Sequence, residues 1–143
     1  MKLSVVIPAR NEALNIGSLV REIDAALAAF APFEIIVVDD GSTDGTGAAA
    51  KVLPNVRVLR HPISAGQSAA VHSGVMAARA DVVCTLDGDG QNPPSNLPAL
   101  VQPLFDTPKV GLVAGQRVGR QDTWSKRYAS KAANAIRGWM LKD

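Results

Sequence analysis

Asp87, Asp89 and Gln91 occupy alternate positions in the stretch TLDGDGQNPP, just beyond the apolar pair Val82-Val83. In an extended segment this spacing puts three oxygen-bearing side chains on one side, and Gly88 and Gly90 let a ligand approach the backbone. Two carboxylates so placed repel each other unless a cation or a hydrogen-bond donor lies between them. A few hard oxygen ligands that share an ion with water and substrate phosphates suit Mg²⁺ or Mn²⁺. The competing reading is an Asx turn closing a strand before Pro93-Pro94, with both aspartates solvated.

Three further clusters carry possible chemistry. In VVDDGSTDGT, residues 37–46, Ser42, Thr43 or Asp44 can cap a following helix and Gly41 can serve a turn. Capping does not explain Asp39-Asp40 at a buried strand end, where adjacent charges cost stability; a carboxylate accepting a base N–H would. Pro8-Ala9-Arg10-Asn11-Glu12 reads equally as a helix start, with Asn11 as N-cap, or as a loop whose Arg10 reaches a diphosphate. His61 with Gly66-Gln67-Ser68 suggests a turn opening a helix whose amides face an anion. His61 and His72 show no metal-ligand spacing and read as surface or capping residues.

The elements that must hold these clusters are legible as alternation. Leu3–Ile7, Glu34–Val38, Val56–Leu59, Asp81–Leu86 and Val110–Ala114 are short runs rich in Val, Ile or Leu, suiting strands buried on both faces. Between them, Glu12–Phe30 places Ile16, Leu19, Val20, Ile23 and Leu27 on one helical stripe. Asp44–Leu53, Gly66–Arg79 and Leu97–Phe105 read as shorter helices. This order predicts an α/β fold: a mostly parallel open sheet with helices on both faces. Ligands of such sheets collect beyond the carboxyl ends of the strands, where all four polar clusters fall.

With 143 residues, 47% hydrophobic and 20% charged, the chain has the size and composition of one globular domain. No apolar run is long enough to span a bilayer, and the first strand does not resemble a signal peptide, so a cytosolic location is expected. The single cysteine, Cys84, reads as a reduced core residue. Charge is uneven: residues 1–116 hold 8 Lys/Arg against 11 Asp/Glu, whereas residues 117–143 hold 7 against 2. That basic end suggests an anionic partner.

Within it, Thr123–Leu141 is expected to form an amphipathic helix. At helical spacing, Trp124, Tyr128, Ala132, Ala135, Ile136, Trp139 and Met140 share one face, and Lys126, Arg127, Ser130, Asn134 and Arg137 the other. This suits a core-facing helix or one lying in a membrane interface. The aromatic residues line the apolar stripe instead of interleaving with the cations, which argues against nucleic acid. The expected division is a core over residues 1–118 and a hinge with the amphipathic helix over 119–143.

Taken in order, SVVIPARNEALNI, FEIIVVDDGSTDGT, HPISAGQSAAVHSG, TLDGDGQNPP and GLVAGQRVGR resemble glycosyltransferase family 2 with the GT-A fold. The likeness is nearest to polyprenyl-phosphate, dolichyl-phosphate mannose synthase-like enzymes. It implies an inverting, metal-dependent transferase that moves a sugar, mannose favoured, from a nucleotide diphosphate to a polyprenyl phosphate. It implies that Pro8, Arg10 and Glu12 line the nucleotide pocket, and that Val38 and Asp40 hold the base. Asp87, Gly88 and Asp89 would contact ribose, diphosphate and metal, with Asp87, Asp89 and Gln91 as ligands of Mg²⁺ or Mn²⁺. Asp89 and Arg117 are the implied catalytic residues, Arg117 near the donor's sugar or diphosphate. The implied partners are a nucleotide-sugar donor, GDP-mannose before UDP-sugars, a polyprenyl phosphate acceptor and an anionic membrane surface. The implied location is peripheral, on the cytosolic face.

The chain departs from the resemblance in three ways. Arg10 stands where many relatives carry tyrosine, Gly88 replaces a common alanine, and family catalytic domains continue beyond residue 143. The last point leaves a non-catalytic donor-binding or membrane-docking module as the alternative. A haloacid-dehalogenase-like phosphatase also uses a D-x-D after a strand. There the motif usually follows the first strand and precedes Gly-Thr or Gly-Val, whereas here it follows the fourth and precedes Gly-Gln.

Overall fold

The computed structural model describes residues 3–86, 94–106 and 112–114. Five strands run β1 (Leu3–Ala9), β2 (Phe33–Asp40), β3 (Val56–His61), β4 (Val82–Thr85) and β5 (Leu112–Ala114). Four helices alternate with them: α1 (Ile16–Ala26), α2 (Thr46–Ala50), α3 (Gln67–Ala77) and α4 (Leu97–Asp106). Every pairing is parallel, in the order β3-β2-β1-β4-β5. The α/β expectation therefore holds for the described residues. The Thr123–Leu141 helix and the boundary at residue 118 lie outside them.

The sheet is sandwiched because its strands are apolar on both sides. Odd-numbered residues of β1 and β2 (Leu3, Val5, Ile7, Ile35, Val37) pack with Ile16, Leu19, Val20 and Ile23 of α1 and with Leu97 and Val101 of α4. Even-numbered Val6, Ile36 and Val38 pack on the opposite face with Ala70 of α3. Cys84 is buried in the first of these layers, and desolvation pushes its thiol up to about 12, so it stays protonated and inert. Among the described residues no helix is long and apolar enough to cross a membrane.

At the amino end of the sheet, away from the rim that carries the polar loops, Glu34 is buried and fully engaged. It accepts hydrogen bonds from Ser4 Oγ (2.6 Å), Arg57 Nε (2.9 Å) and the Arg79 amide (2.8 Å). Burial opposes its charge, but these donors and the Arg57 cation outweigh burial and hold its carboxyl below the usual range. The cluster ties the end of α3 to β1, β2 and β3.

Three strands run two residues past their expected ends, β1 reaching Ala9 instead of Ile7. β2 was expected to stop at Val38 and β3 at Leu59, yet the ladder continues through Asp39 opposite Arg60 and Asp40 opposite His61. Arg60 meets Asp39 as an ion pair and His61 donates a hydrogen bond to Asp40, so pairing extends beyond the apolar run.

α3 approaches the sheet closely because Gly74 has no side chain. A Cβ there would collide with Val6 Cγ1 and sit 3.2 Å from Val38 Cγ2. Gly74→Ala is therefore expected to lower stability by about 1–3 kcal/mol through overpacking, although alanine is the better helix former. Chemical denaturation checks this, and an unchanged or raised midpoint would show that α3 can shift outward freely.

Candidate functional site

The strand order reverses between β1 and β4. The chain moves from β1 to β2 and β3 on one side, then returns past them to β4 on the other. Such a reversal leaves a crevice beyond the carboxyl ends of the two central strands, the usual ligand position in an open α/β sheet. Ala9-Arg10-Asn11-Glu12 leaves β1 on one side of it. On the other, Leu86 donates its amide to Val6 O (3.0 Å), and Asp87 follows. Asp87, Gly88, Asp89, Gln91 and Arg117 lie outside the described residues.

Pro8 helps to open this crevice. Val6 directs its carbonyl toward β4, and Pro8, two residues on, faces the same way. After Leu86 donates to Val6 O, the next ladder bond would need the N–H that Pro8 lacks, and the described ladder to β4 pairs only Leu3 to Val6. Arg10 beyond it is exposed, and among the described residues no carboxylate pairs with it. Glu12 is partly buried, and its carboxylate lies 3.4 Å from Asn15 Nδ2.

The two adjacent aspartates of β2 point to opposite faces of the sheet, as consecutive strand residues must. Asp39 is fully buried. Its carboxylate accepts from Arg60 Nη1 (2.8 Å) and from the Ser42 amide (3.0 Å). Asp40, 5% exposed, lies on the α3 side and accepts four hydrogen bonds. Its donors are His61 Nδ1 (2.8 Å), Ser64 Oγ (2.8 Å) and the amides of Ala65 (2.8 Å) and Gly66 (3.0 Å). Burial raises the cost of its charge, but these four donors overcome that cost and hold the carboxyl far below the ordinary Asp range.

This geometry changes how Asp39-Asp40 is to be read. The cost of two adjacent buried charges is met from within the chain, by Arg60 and His61 in register on β3. An ionised carboxylate has about four lone-pair sites, and all four of Asp40's are filled by protein donors. Val38 is fully buried against Val6 and Ala70, so its side chain has no surface for a ligand. The loop amides before α3 do face an anion, but among the described residues that anion is Asp40 itself.

His61 is not the surface or capping residue expected. Its Nε2 lies 2.8 Å from Ser73 Oγ while Nδ1 meets Asp40. A carboxylate only accepts, so Nδ1 carries hydrogen and a neutral ring accepts from Ser73 at Nε2. These residue types match a hydrolytic triad, but Ser73 sits mid-helix in α3 and the loop amides of Ala65 and Gly66 are spent on Asp40. The relay is structural: it holds β2, β3 and α3 together.

The GSTDGT run is likewise spent on a neighbouring loop. Asn11, Glu12 and Ala13 donate their amides to Ser42 Oγ (2.9 Å), Thr46 Oγ1 (2.9 Å) and Asp44 Oδ2 (3.2 Å) in turn. In return the Thr43 amide donates to Asn11 Oδ1 (2.9 Å). The Thr46 hydroxyl above all, with the Ala13 and Thr46 amides, keeps the Asp44 carboxyl below its usual range despite some desolvation. Asn11 is therefore not the N-cap of α1. That position belongs to Asn15, and α1 starts four residues later than expected because residues 11–13 satisfy their amides across the loop.

Among the described residues no group of three or more His, Cys, Asp or Glu side chains can hold a metal ion. The carboxylates of Asp39, Asp40 and Asp44 all accept from protein donors. The metal expectation thus rests on Asp87, Asp89 and Gln91 alone.

Fold and site together define a doubly wound α/β domain with a polar crevice at its switch point. The model of glycosyl transferase family 2 matches residues 4–142, and the chain belongs to that family. It is 34% identical to a dodecaprenyl-phosphate galacturonate synthase from Rhizobium johnstonii, over 96% of this chain and 43% of the relative. It is 38% identical to an undecaprenyl-phosphate 4-deoxy-4-formamido-L-arabinose transferase from Sodalis glossinidius, over 94% and 43%. The chain thus spans less than half the length of these curated relatives.

Among solved structures it is similar to a mannosyltransferase from Pyrobaculum calidifontis in complex with GDP-Man and Mn²⁺. That match has a TM-score of 0.65 and 26% identity, covering 74% of this chain and 33% of the other. It is also similar to glucosyl-3-phosphoglycerate synthase from Mycobacterium tuberculosis, in complex with Mn²⁺, UDP and glucosyl-3-phosphoglycerate. There the TM-score is 0.59 and the identity 31%, covering 72% and 39%. The fold is the GT-A arrangement that the sequence resemblance implied.

The lowered carboxyls of Asp40 and Glu34 are expected to make stability fall on acidification. As pH falls through the ordinary carboxylate range near 4, the unfolded chain takes up these protons first, so the stabilisation present at neutral pH is progressively lost. Asp40→Asn is expected to cost about 3 kcal/mol or more at pH 7, by leaving donors facing an amide, and to flatten the loss between pH 5 and 2. Urea denaturation across that range checks both, and an unchanged acid slope in the variant would remove Asp40 from the account.

Proposed function

We propose that this chain forms the donor-binding part of a glycosyltransferase that moves a sugar from a nucleoside diphosphate to a polyprenyl phosphate. The observation carrying the reading is the juxtaposition at the switch point. An exposed Arg10 leaves β1 beside the strand from which Asp87-Gly88-Asp89 follows, in a chain belonging to glycosyl transferase family 2. Support for the acceptor comes from relatives named for dodecaprenyl- and undecaprenyl-phosphate chemistry.

In this reading Pro8, Arg10 and Glu12 border the donor, and Asp87, Asp89 and Gln91 would hold Mg²⁺ or Mn²⁺. When bound, the metal neutralises charge on the departing diphosphate. Arg10 and Arg117 add fixed positive charge where that charge develops. The acceptor phosphate is already ionised near neutral pH, so its oxygen attacks the anomeric carbon without a strong general base. A new carbon–oxygen bond forms on the face opposite the one that breaks, and the electron pair leaves with the nucleoside diphosphate. Configuration at that carbon inverts. The basic, aromatic stretch Thr123–Leu141 would lie against anionic lipid on the cytosolic face, beside the lipid acceptor.

GDP-mannose is the donor that the sequence resemblance favours. The similar proteins include one solved with GDP-Man and one solved with UDP, and curated relatives named for galacturonate and for a formamido-arabinose. The donor is therefore tested directly. Titration calorimetry of GDP-mannose, GDP and UDP, with Mn²⁺ and with EDTA, is expected to show metal-dependent binding of one nucleotide class. Asp89→Ala is expected to weaken it at least about tenfold. Binding that ignores both EDTA and the substitution would sink the metal-centred donor site. Transfer is read separately, as product on polyprenyl phosphate.

A further inference from the structure

Asn11 has φ 54°, and among the described residues it is the one non-glycine with a positive φ. Left-handed backbone disfavours most side chains, asparagine less than others. The helix does not demand this turn, since α1 begins only at Ile16. The neighbouring loop imposes it. The Asn11 amide donates to Ser42 Oγ (2.9 Å), while its Oδ1 accepts from the Thr43 amide (2.9 Å). Ser42 is itself buried and held through its amide by Asp39. Backbone strain of this kind persists only where the surroundings over-determine it, and it concentrates where a group must be aimed.

The residue immediately before this turn is Arg10, the exposed cation at the β1 edge of the switch-point crevice. We infer that Asn11 is a positioning residue: its left-handed turn, locked by Ser42 and Thr43, directs Arg10 at the diphosphate of the donor. The hydroxyl-rich GSTDGT run then serves the ligand only through the β1 loop, along the path Asp39, Ser42, Asn11, Arg10. This rests on the donor-site reading above, and the experiment separates the two.

UDP and GDP are titrated with Mn²⁺ into the 143-residue chain and into Arg10→Ala, Asn11→Ala, Asn11→Gly and the double variant Arg10→Ala/Asn11→Ala. Thermal unfolding is recorded for each. Arg10→Ala is expected to weaken the nucleotide that binds about tenfold, the loss typical of a charge-assisted contact. Asn11→Ala should weaken it comparably, because alanine resists the positive φ. Asn11→Gly should stay within about threefold, because glycine enters that region without penalty. The double variant should bind no more weakly than Arg10→Ala alone, since an arginine that is absent cannot be misdirected. If Asn11→Ala proves unfolded at the titration temperature, Ser42→Ala carries the same prediction, including non-additivity with Arg10→Ala.

Wild-type affinity in Asn11→Ala beside a weakened Arg10→Ala would overturn the positioning role and leave the donor reading intact. Additive losses would also overturn it, by showing that Asn11 acts independently. An Arg10→Ala variant that binds as the wild type does would overturn the inference and leave the donor reading standing, whereas a wild-type chain that binds neither nucleotide would bring down both.

Discussion

The carboxyl rim of the sheet is organised by one electrostatic constraint: two adjacent aspartates ending a fully buried strand. Successive strand residues face opposite sides, so Asp39 and Asp40 need separate partners, one in each helical layer. β3 supplies both from a matching pair, Arg60 and His61, directly opposite in the ladder. Removing Arg60 would leave the buried Asp39 charge without its cation, which costs far more than the pair itself contributes. The register of β2 against β3 is fixed by this need as firmly as by the apolar residues beneath it, because a one-residue slip would put each charge on the wrong face.

From those two carboxylates the loops follow. Asp40 gathers Ser64, Ala65 and Gly66 and so determines where α3 begins. The same loop lies so close to Gly41 that a Cβ there would stand 2.5 Å from the Ser64 amide nitrogen. Gly41 also has φ 72°, so glycine answers two demands at one position. On the other face Asp39 holds Ser42, and the Ser42–Thr46 run in turn satisfies the amides of residues 11–13. Three loops from three strands are thus one hydrogen-bonded unit. Its polar residues look like ligand-binding groups in the sequence because they are polar, clustered and at strand ends, yet most of them bind the chain itself.

That explains what could be read without coordinates. The five strands, the helices between them and the gathering of the β1, β2 and β3 loops on one rim are legible, because apolar runs and helical periodicity report burial directly. The partners were not. Asp39-Asp40 called for positive or hydrogen-bonding neighbours, and Arg60-His61 stood at the corresponding place after the next apolar run. Matching them requires the β2–β3 register, and without it Asp40 reads as open to an external base N–H. His61 read as a surface group because its two partners lie 21 and 12 residues away in the chain. Asn11 read as a cap because its side chain is of the capping type. Only the backbone shows that it makes a left-handed turn four residues before the cap.

The crevice itself has a simple origin in unequal pairing. β1 pairs with β2 through all seven residues from Leu3 to Ala9, whereas its described pairing with β4 ends at Val6. Beyond Val6 the edge of β1 that faces β4 has no ladder partner among the described residues, and such an edge ordinarily invites another strand. Pro8 removes the N–H that would invite one. The edge is thereby left to side chains, with Arg10 on one bank and Leu86, after which Asp87 follows in the sequence, on the other. A cation and a pair of carboxylates leaving neighbouring strands across such a gap would hold an anionic ligand together with its counter-ion. Arg10 would offset the phosphate charge, and the aspartates would hold the metal that the phosphates also bind. In the proposed reading the chain's chemistry belongs to the β1–β4 gap, and the acidic end of β2 belongs to the framework that keeps the gap's β1 bank in place.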